Sequence, residues 1–328
     1  MNDIVYSGPF KDHIKRFIDL KQAVGYKYHA EAAHLKRFDT FATKRGCTAE
    51  KLTRQIVLDW CKKQSYESQA NQNARASVLR QFCTYLESVG VSAYIIPKGY
   101  YPSTPRYVPH IYTHDELERF FSQTDICHGC PDRPLRHLIM PVFFRMIYLC
   151  GLRVSEARLL TVGDVDLSDG ILGIHHSKKD NSRLVPMADT LIEICHRYSE
   201  AVHPLSRQSD YYFPGAVGKP MTSTNVYHNF RRFLWAAGIS HGGRGVGPRI
   251  YDFRHTFAVH CLKRWSQKDH DLLVYLPILK TYMGHESFRD TAYYLRMTAE
   301  VFPEITLKLE QQFPDLIPDV GGFVNETD

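Results

Sequence analysis

No apolar run in the 328-residue chain approaches the roughly 20 residues that a membrane span requires. A membrane partner is therefore not expected. The first residues, MNDIVYSGPFKDHIKRF, lack the basic-then-apolar pattern of a secretory leader. The expected location is the cytoplasm, in association with the nucleoid of a bacterial cell. No glycine-rich loop ends in Gly-Lys-Ser or Gly-Lys-Thr, which removes the common cradle for nucleotide phosphates and leaves the expectation of no cofactor. No internal repeat is present. Eight cysteines stand at 47, 61, 83, 127, 130, 150, 195 and 261, and only Cys127-His128-Gly129-Cys130 has metal-ligand spacing. A zinc site needs about four ligands, and no second paired motif follows. The segment reads as a surface loop with two thiols, no metal is expected, and the other cysteines read as reduced core residues.

Acidic residues are scarce in one place. Residues 1–103 hold 16 Lys and Arg against 9 Asp and Glu, whereas the remainder holds 25 against 26. The net charge of +6 thus belongs to the first third of the chain. That asymmetry suits a module lying on a phosphate backbone, or a solvated basic surface.

Apolar spacing of three and four marks four helices in that third. Phe10, Ile14, Phe17 and Ile18 form one stripe. Leu35, Phe38 and Phe41/Ala42 form a second, which Gly46 ends. A third runs from about Thr48 through Trp60. A fourth uses Ala74, Val78, Phe82, Tyr85 and Leu86 and stops at Gly90. Residues 97–109 then carry Pro97, Pro102, Pro105 and Pro109, the texture of an extended linker. Thr113-His114-Asp115-Glu116 is a capping box that opens a new helix. The expected organisation is a helical bundle over 1–96, a linker over 97–112, a second domain over 113–316 and an acidic tail over 317–328. In the second domain, 170–176 and 183–186 flank turn-forming residues and predict a β-hairpin. Helices are expected over 222–239, 252–266, 271–284 and 287–312. The fold class is mainly α with a small β-sheet (α+β).

Four segments carry the chemistry. They are Tyr148-Leu-Cys-Gly-Leu-Arg153-Val-Ser-Glu156, then His176-Ser-Lys178-Lys179-Asp-Asn-Ser-Arg-Leu-Val-Pro186, then Tyr251-Asp-Phe-Arg254-His255, and Met283-Gly-His285 with Thr291 and Tyr294. In this order and spacing they resemble the tyrosine recombinase (phage integrase) family, and the resemblance extends over most of the chain. It implies a DNA-clamping helical domain followed by a catalytic domain that cuts and rejoins DNA through a 3′-phosphotyrosine link.

The chemistry accounts for the residue types. Transesterification at phosphorus places extra charge on the non-bridging oxygens, and forked guanidinium groups complement it. Arg153 and Arg254 are assigned that role, and the resemblance places His285 on a phosphate oxygen. Religation needs no ATP, because the phosphotyrosine bond resembles the one broken. The family's nucleophile lies nine residues after the Gly-His histidine, which selects Tyr294 and leaves Tyr293 to packing. A lysine in the hairpin turn protonates the leaving oxygen in the family. Here Lys178 fills that place, with Lys179 next to it as alternative and DNA contact. Glu156 and His255 are expected to support the arginines. One residue departs from the pattern: Tyr251 stands where the family usually has histidine. A phenol can donate a hydrogen bond to phosphate or relay a proton, but cannot become a cation.

Outside the site, Arg75, Arg80, Arg231, Arg232, Arg244 and Arg249 are candidate DNA contacts. The resemblance implies double-stranded DNA with a specific recombination site as partner, a homotetramer on paired sites and a monomer or dimer off DNA. Val301 to Phe313, with Phe302, Ile305 and Leu309 as a stripe, would dock on a neighbouring protomer, or else pack as a core helix of its own chain. Integration or transposition of a mobile element is the expected process. Two other readings stand beside it: a DNA-binding protein of the same fold without catalysis, supported by Tyr251, and a type IB-like topoisomerase.

Overall fold

The computed structural model describes residues 5–103, 107–175, 182–216, 218–243, 247–268, 270–285 and 287–301. Lys178, Lys179, Arg244 and residues 302–313 of the expected docking helix lie outside the described residues. The chain divides into two compact units, Met1–Arg106 and Tyr107–Asp328.

In the first unit, helices α1 (Lys11–Ala23), α2 (His29–Lys44), α3 (Arg54–Cys61) and α4 (Gln69–Ser88) enclose one core. Their apolar stripes converge on Phe10, Phe17, Phe38 and Phe82, each no more than 2% exposed. The rings meet edge-on or tilted at 5.6–6.3 Å between centroids, spacings at which aromatic pairs attract. The expected start of α3 near Thr48 is corrected. Lys51–Leu52 is strand β1, which pairs in parallel with β2 (Ser92–Ala93). The side chain of Thr53 caps the helix by accepting from the Ile56 amide. A buried Leu52 fits either element by periodicity alone, and the partner strand 41 residues later decides it.

The second unit contains α5 (His114–Asp125), α6 (Arg136–Leu149), α7 (Val154–Leu159), α8 (Asp189–Val202), α9 (Ser223–Ala236), α10 (Asp252–Gln267), α11 (Leu272–Met283) and α12 (Phe288–Val301). The Thr113 capping box is formed, with Thr113 Oγ1 accepting from the Glu116 amide at 3.2 Å and Glu116 accepting from the Thr113 amide at 2.9 Å. β4 (Ile171–Ile174) and β5 (Arg183–Pro186) pair antiparallel with Ile174 opposite Arg183, and β3 (Val165–Asp166) adds a third strand. Leu172 and Val185 point into the main core, which the rings of Phe120, Phe144, Phe230 and Phe253 fill. A second cluster joins α10, α11 and α12 through Val259, Leu276, Leu279 and Leu295. No helix among the described residues is long and apolar enough to cross a membrane.

Candidate active site

Glu156 is the centre around which the second unit gathers its arginines. Its side chain is fully buried. It caps its own helix, accepting from the Arg153 amide at 2.9 Å. Arg153 Nη1 donates to Oε1 at 2.6 Å. Arg183, entering from β5, forks onto the same carboxylate with Nη1 to Oε1 at 3.0 Å and Nη2 to Oε2 at 2.9 Å. Arg254 Nη1 stands 3.9 Å from Oε2. Burial pushes the Glu156 carboxyl up, but the Arg183 fork and the Arg153 bonds outweigh it and hold the pKa at about 2. The anion is therefore permanent at neutral pH, and it locks two guanidiniums in place.

Backbone carbonyls hold further donors of these arginines. Arg254, 0% exposed, donates from Nη1 to Gly151 O at 2.6 Å and from Nη2 to Met283 O. Arg153 Nη2 reaches Gly284 O at 3.2 Å, and Arg183 Nε reaches Tyr282 O at 2.8 Å. Two glycines allow this convergence. Gly151 has φ +57, which turns the chain between α6 and α7, and a Cβ there would meet the Phe257 ring at 2.5 Å. Gly284 has φ +63, and a Cβ there would sit 3.0 Å from Arg183 Nη1. Both positions need the missing side chain twice over, for conformation and for space.

The tyrosines lie against this cluster. Tyr294, on α12, is 2% exposed. Its ring stacks on His285 at 5.8 Å and 12°, and tilts against His255 at 5.5 Å. Burial pushes its phenol above the ordinary value, while the charge and hydrogen bond of Arg254 and the charge of Arg153 pull it down. His285 Nδ1 pairs with Thr291 Oγ1 at 3.0 Å, and Thr291 is fully buried. Burial, then the charges of Arg254, Arg153 and Arg183, lower the His285 pKa to about 3. His255 is held at about 4 by burial and Arg254. Both imidazoles are thus neutral near pH 7. Tyr251, at the start of α10, is 39% exposed and packs edge-on against His255 at 4.9 Å. Tyr293 is 37% exposed, and its ring lies 6.4 Å from that of His255.

The structure thus brings together Arg153, Glu156, Tyr251, Arg254, His255, His285 and Tyr294. The reading of Arg75 as a phosphate contact is corrected. Its guanidinium is 6% exposed, forms a two-pronged pair with Glu67 at 2.7 and 2.6 Å, and donates to the carbonyls of Trp60 and Lys62. Every branch points into the first unit, so the positive charge is satisfied where it stands. Arg80 ties α4 to the segment after β2, donating to Ile96 O at 2.7 Å and Pro97 O at 3.1 Å. Arg232 and Arg249 are exposed, and Arg249 lies over the Tyr107 ring. Arg231 bonds the Tyr227 hydroxyl at 3.1 Å. Cys127 is half-buried with its thiol toward Arg136 O, and Cys130 is exposed. Among the described residues, no group of three or more His, Cys, Asp or Glu could hold a metal ion.

Arg183 is the residue that sequence reasoning missed. It stands in the hairpin segment without a role of its own. The available signal was an arginine between hairpin turn and an inward-pointing Val185, where an alternating strand places an apolar residue or a partnered charge.

Comparison with known proteins places these positions within a family. The pattern described as the phage integrase family matches residues 110–300. An integrase/recombinase of Sinorhizobium fredii, y4rE, is 30% identical over 93% of this chain and 96% of its own length. The tyrosine recombinase XerD of Pseudomonas aeruginosa is 28% identical over 79% of this chain and 83% of its own. Among solved structures, the XerH site-specific recombinase superposes with a TM-score of 0.63 at 18% identity, covering 90% of this chain and 83% of that one. At that identity the likeness speaks for the fold.

Proposed function

The chain belongs to the phage integrase family and is a site-specific recombinase, and from this premise we propose that Tyr294 cuts one DNA strand and holds it as a 3′-phosphotyrosine until it is rejoined. The observation that carries the reading is the charge at the site. Three guanidiniums, from Arg153, Arg183 and Arg254, face one carboxylate, Glu156. Two positive charges remain for an anion, which suits a phosphodiester that gains charge as it becomes pentacoordinate.

Arg153 and Arg254 complement the non-bridging oxygens. His285, neutral and fixed by Thr291, donates to one of them. Tyr251, exposed at the mouth of the site, donates to another. Arg183 acts through Glu156 by fixing the arginine that touches phosphate. Attack by the Tyr294 oxygen expels the 5′ oxygen, which takes its proton from Lys178. Because the phenol is buried in the free chain, DNA binding must shift α12 before attack. The partner is double-stranded DNA carrying a recombination site. XerH and a lambda integrase dimer have been solved bound to such sites, which supports this partner. Four copies act on paired sites, and the process is integration or transposition of a mobile element, as in the Tn1549 transposon integrase that shares the fold.

Covalent trapping tests the reading. Nicked duplexes drawn from the DNA flanking the gene are incubated with the full chain and resolved on a denaturing gel. Wild type is expected to give a protein–DNA band that Tyr294→Phe lacks. Binding without any band for wild type would favour the non-catalytic DNA-binding reading, for which Tyr251 is the one sequence argument.

A further inference from the structure

The histidine usual for the family three residues before its second arginine is absent, and Tyr251 takes the place. Four residues along α10, one helical turn away and on the same face, stands His255. It touches Tyr251 at 4.9 Å, Tyr294 at 5.5 Å and Tyr293 at 6.4 Å between ring centroids. Its Nδ1 is buried with no hydrogen-bond partner, while the ring as a whole stays half-buried. A purely structural histidine normally has its buried nitrogen satisfied. This one is kept unpartnered beside the attacking phenol.

We propose that His255 is the proton acceptor for Tyr294, acting from one turn further along α10 than the family's usual histidine. The proposal rests on the reading of Tyr294 as nucleophile. As the Tyr294 oxygen forms its bond to phosphorus, the phenolic proton moves to the imidazole and the bond from phosphorus to the 5′ oxygen breaks. That oxygen takes a proton from Lys178. Religation reverses each transfer, so no co-reactant is consumed.

The charged and titratable groups that face His255 are Arg254 and Tyr251 on its own helix, Tyr293 and Tyr294 on α12, and His285 beyond α11. In the free chain, burial and Arg254 keep the imidazole neutral, so a lone pair is available. A phosphodiester settled on the arginines brings a negative charge that offsets Arg254 and raises the proton affinity of the ring. The base thereby strengthens when substrate is in place.

The experiment follows formation of the covalent adduct over time on nicked duplexes from the flanking DNA. It uses the full chain as wild type and as His255→Gln, which keeps the bulk but cannot take a proton. The adduct rate is expected to fall about 100-fold or more, with DNA affinity in gel shift unchanged. On duplexes with sulfur in place of the leaving oxygen, which departs without a proton, the defect is expected to persist. His255→Ala, which leaves a small cavity, is expected to regain rate when imidazole is added. A wild-type rate in His255→Gln overturns the proposal, as does relief of the defect by the sulfur substrate or failure of imidazole to rescue a folded His255→Ala. Absence of an adduct with wild type itself removes the Tyr294 reading, and this inference with it.

Discussion

Arg183 and Glu156 meet as two forks, with Nη1 3.0 Å from Oε1 and Nη2 2.9 Å from Oε2, and neither side chain more than 8% exposed. One partner sits at the start of a strand and the other in the first turn of a helix, 27 residues apart. This pair fixes the carboxylate onto which Arg153 Nη1 donates at 2.6 Å. Glu156→Gln keeps the shape but leaves three guanidiniums around a neutral amide. Removing one member of a buried pair costs about 3–5 kcal/mol. The variant is expected to unfold at clearly lower urea concentration and to lose strand cleavage. Arg183→Lys, which keeps the charge but loses the fork, is expected to lower the cleavage rate while leaving DNA affinity near wild type. Equal affinity and equal rate in Arg183→Lys would reduce the pair to a structural tie.

Adjacent tyrosines give a sharper test of the nucleophile. Tyr294 lies on the side of Arg254 and His285, and Tyr293 is 37% exposed. Tyr294→Phe is expected to abolish the covalent adduct, whereas Tyr293→Phe is expected to keep at least a tenth of the wild-type rate. Arg153→Ala removes one charge from the phosphate pocket, a loss of about 3–4 kcal/mol in the barrier if electrostatic stabilisation of the usual size is lost. The rates on a trapping gel are then expected to fall by roughly 100-fold or more. An adduct in Tyr294→Phe would move the nucleophile to its neighbour.

Gly284 shows how a single backbone position serves the site. With its φ of +63 and the 3.0 Å approach to Arg183 Nη1, a methyl group fits only if the Arg183 side chain gives way. Gly284→Ala is expected to cost about 1–2 kcal/mol for the left-handed conformation and to push Arg183 off Glu156. Cleavage should fall more than stability does, measured as adduct rate against the urea midpoint. A loss of stability with an unchanged rate would mean that the Arg183 fork does not depend on this gap.

Much of this site is legible in the sequence. Arg153, Arg254, His285 and Tyr294 fall into four short segments whose residue types transesterification requires, and the helical spacing of the apolar residues predicted most elements. What stayed hidden depends on long-range pairing. Leu52 is a strand residue because Ala93 lies beside it. Arg75 is a core ion pair because Glu67 and two carbonyls surround it. Arg183 was passed over for the same reason, since nothing local announces that its partner is Glu156. A charged residue's sequence neighbours do not reveal whether its charge is already neutralised.

Three half-buried imidazoles contribute to the response to acid. Burial, joined by Arg254, lowers His285 to about 3 and His255 to about 4, and burial with His114 lowers His260 to about 4. In the unfolded chain each titrates near 6.5. Between these values the unfolded state binds more protons, so stability is full above about pH 6.5 and is lost as pH falls toward 4. The loss by pH 5 is at most about 2 kcal/mol per histidine, less for the share of each ring that water reaches. Glu156 adds a separate loss only below its ordinary range, as pH falls toward about 2. His260, bonded to the Tyr148 hydroxyl at 3.0 Å, lies outside the proposed chemistry. Melting temperatures between pH 7.5 and 5 are expected to fall less steeply in His260→Gln than in wild type. Parallel slopes would show that this ring is protonated in the folded chain.

Arg75 separates a basic composition from a basic surface. Its two bonds to Glu67, at 2.7 and 2.6 Å, supply that carboxylate's counter-charge, and without the arginine a carboxylate only 8% exposed keeps only the bonds from Asn71 and the Gln64 amide. Arg75→Ala is therefore expected to destabilise the first unit by about 3–5 kcal/mol, read as an earlier urea transition. A residue on a DNA phosphate behaves otherwise. Its loss lowers the dependence of log affinity on log salt by about one unit and leaves stability near wild type. At temperatures where the variant remains folded, its salt slope on duplex DNA is expected to match wild type. A slope reduced by one, with an unchanged urea midpoint, would return Arg75 to the DNA.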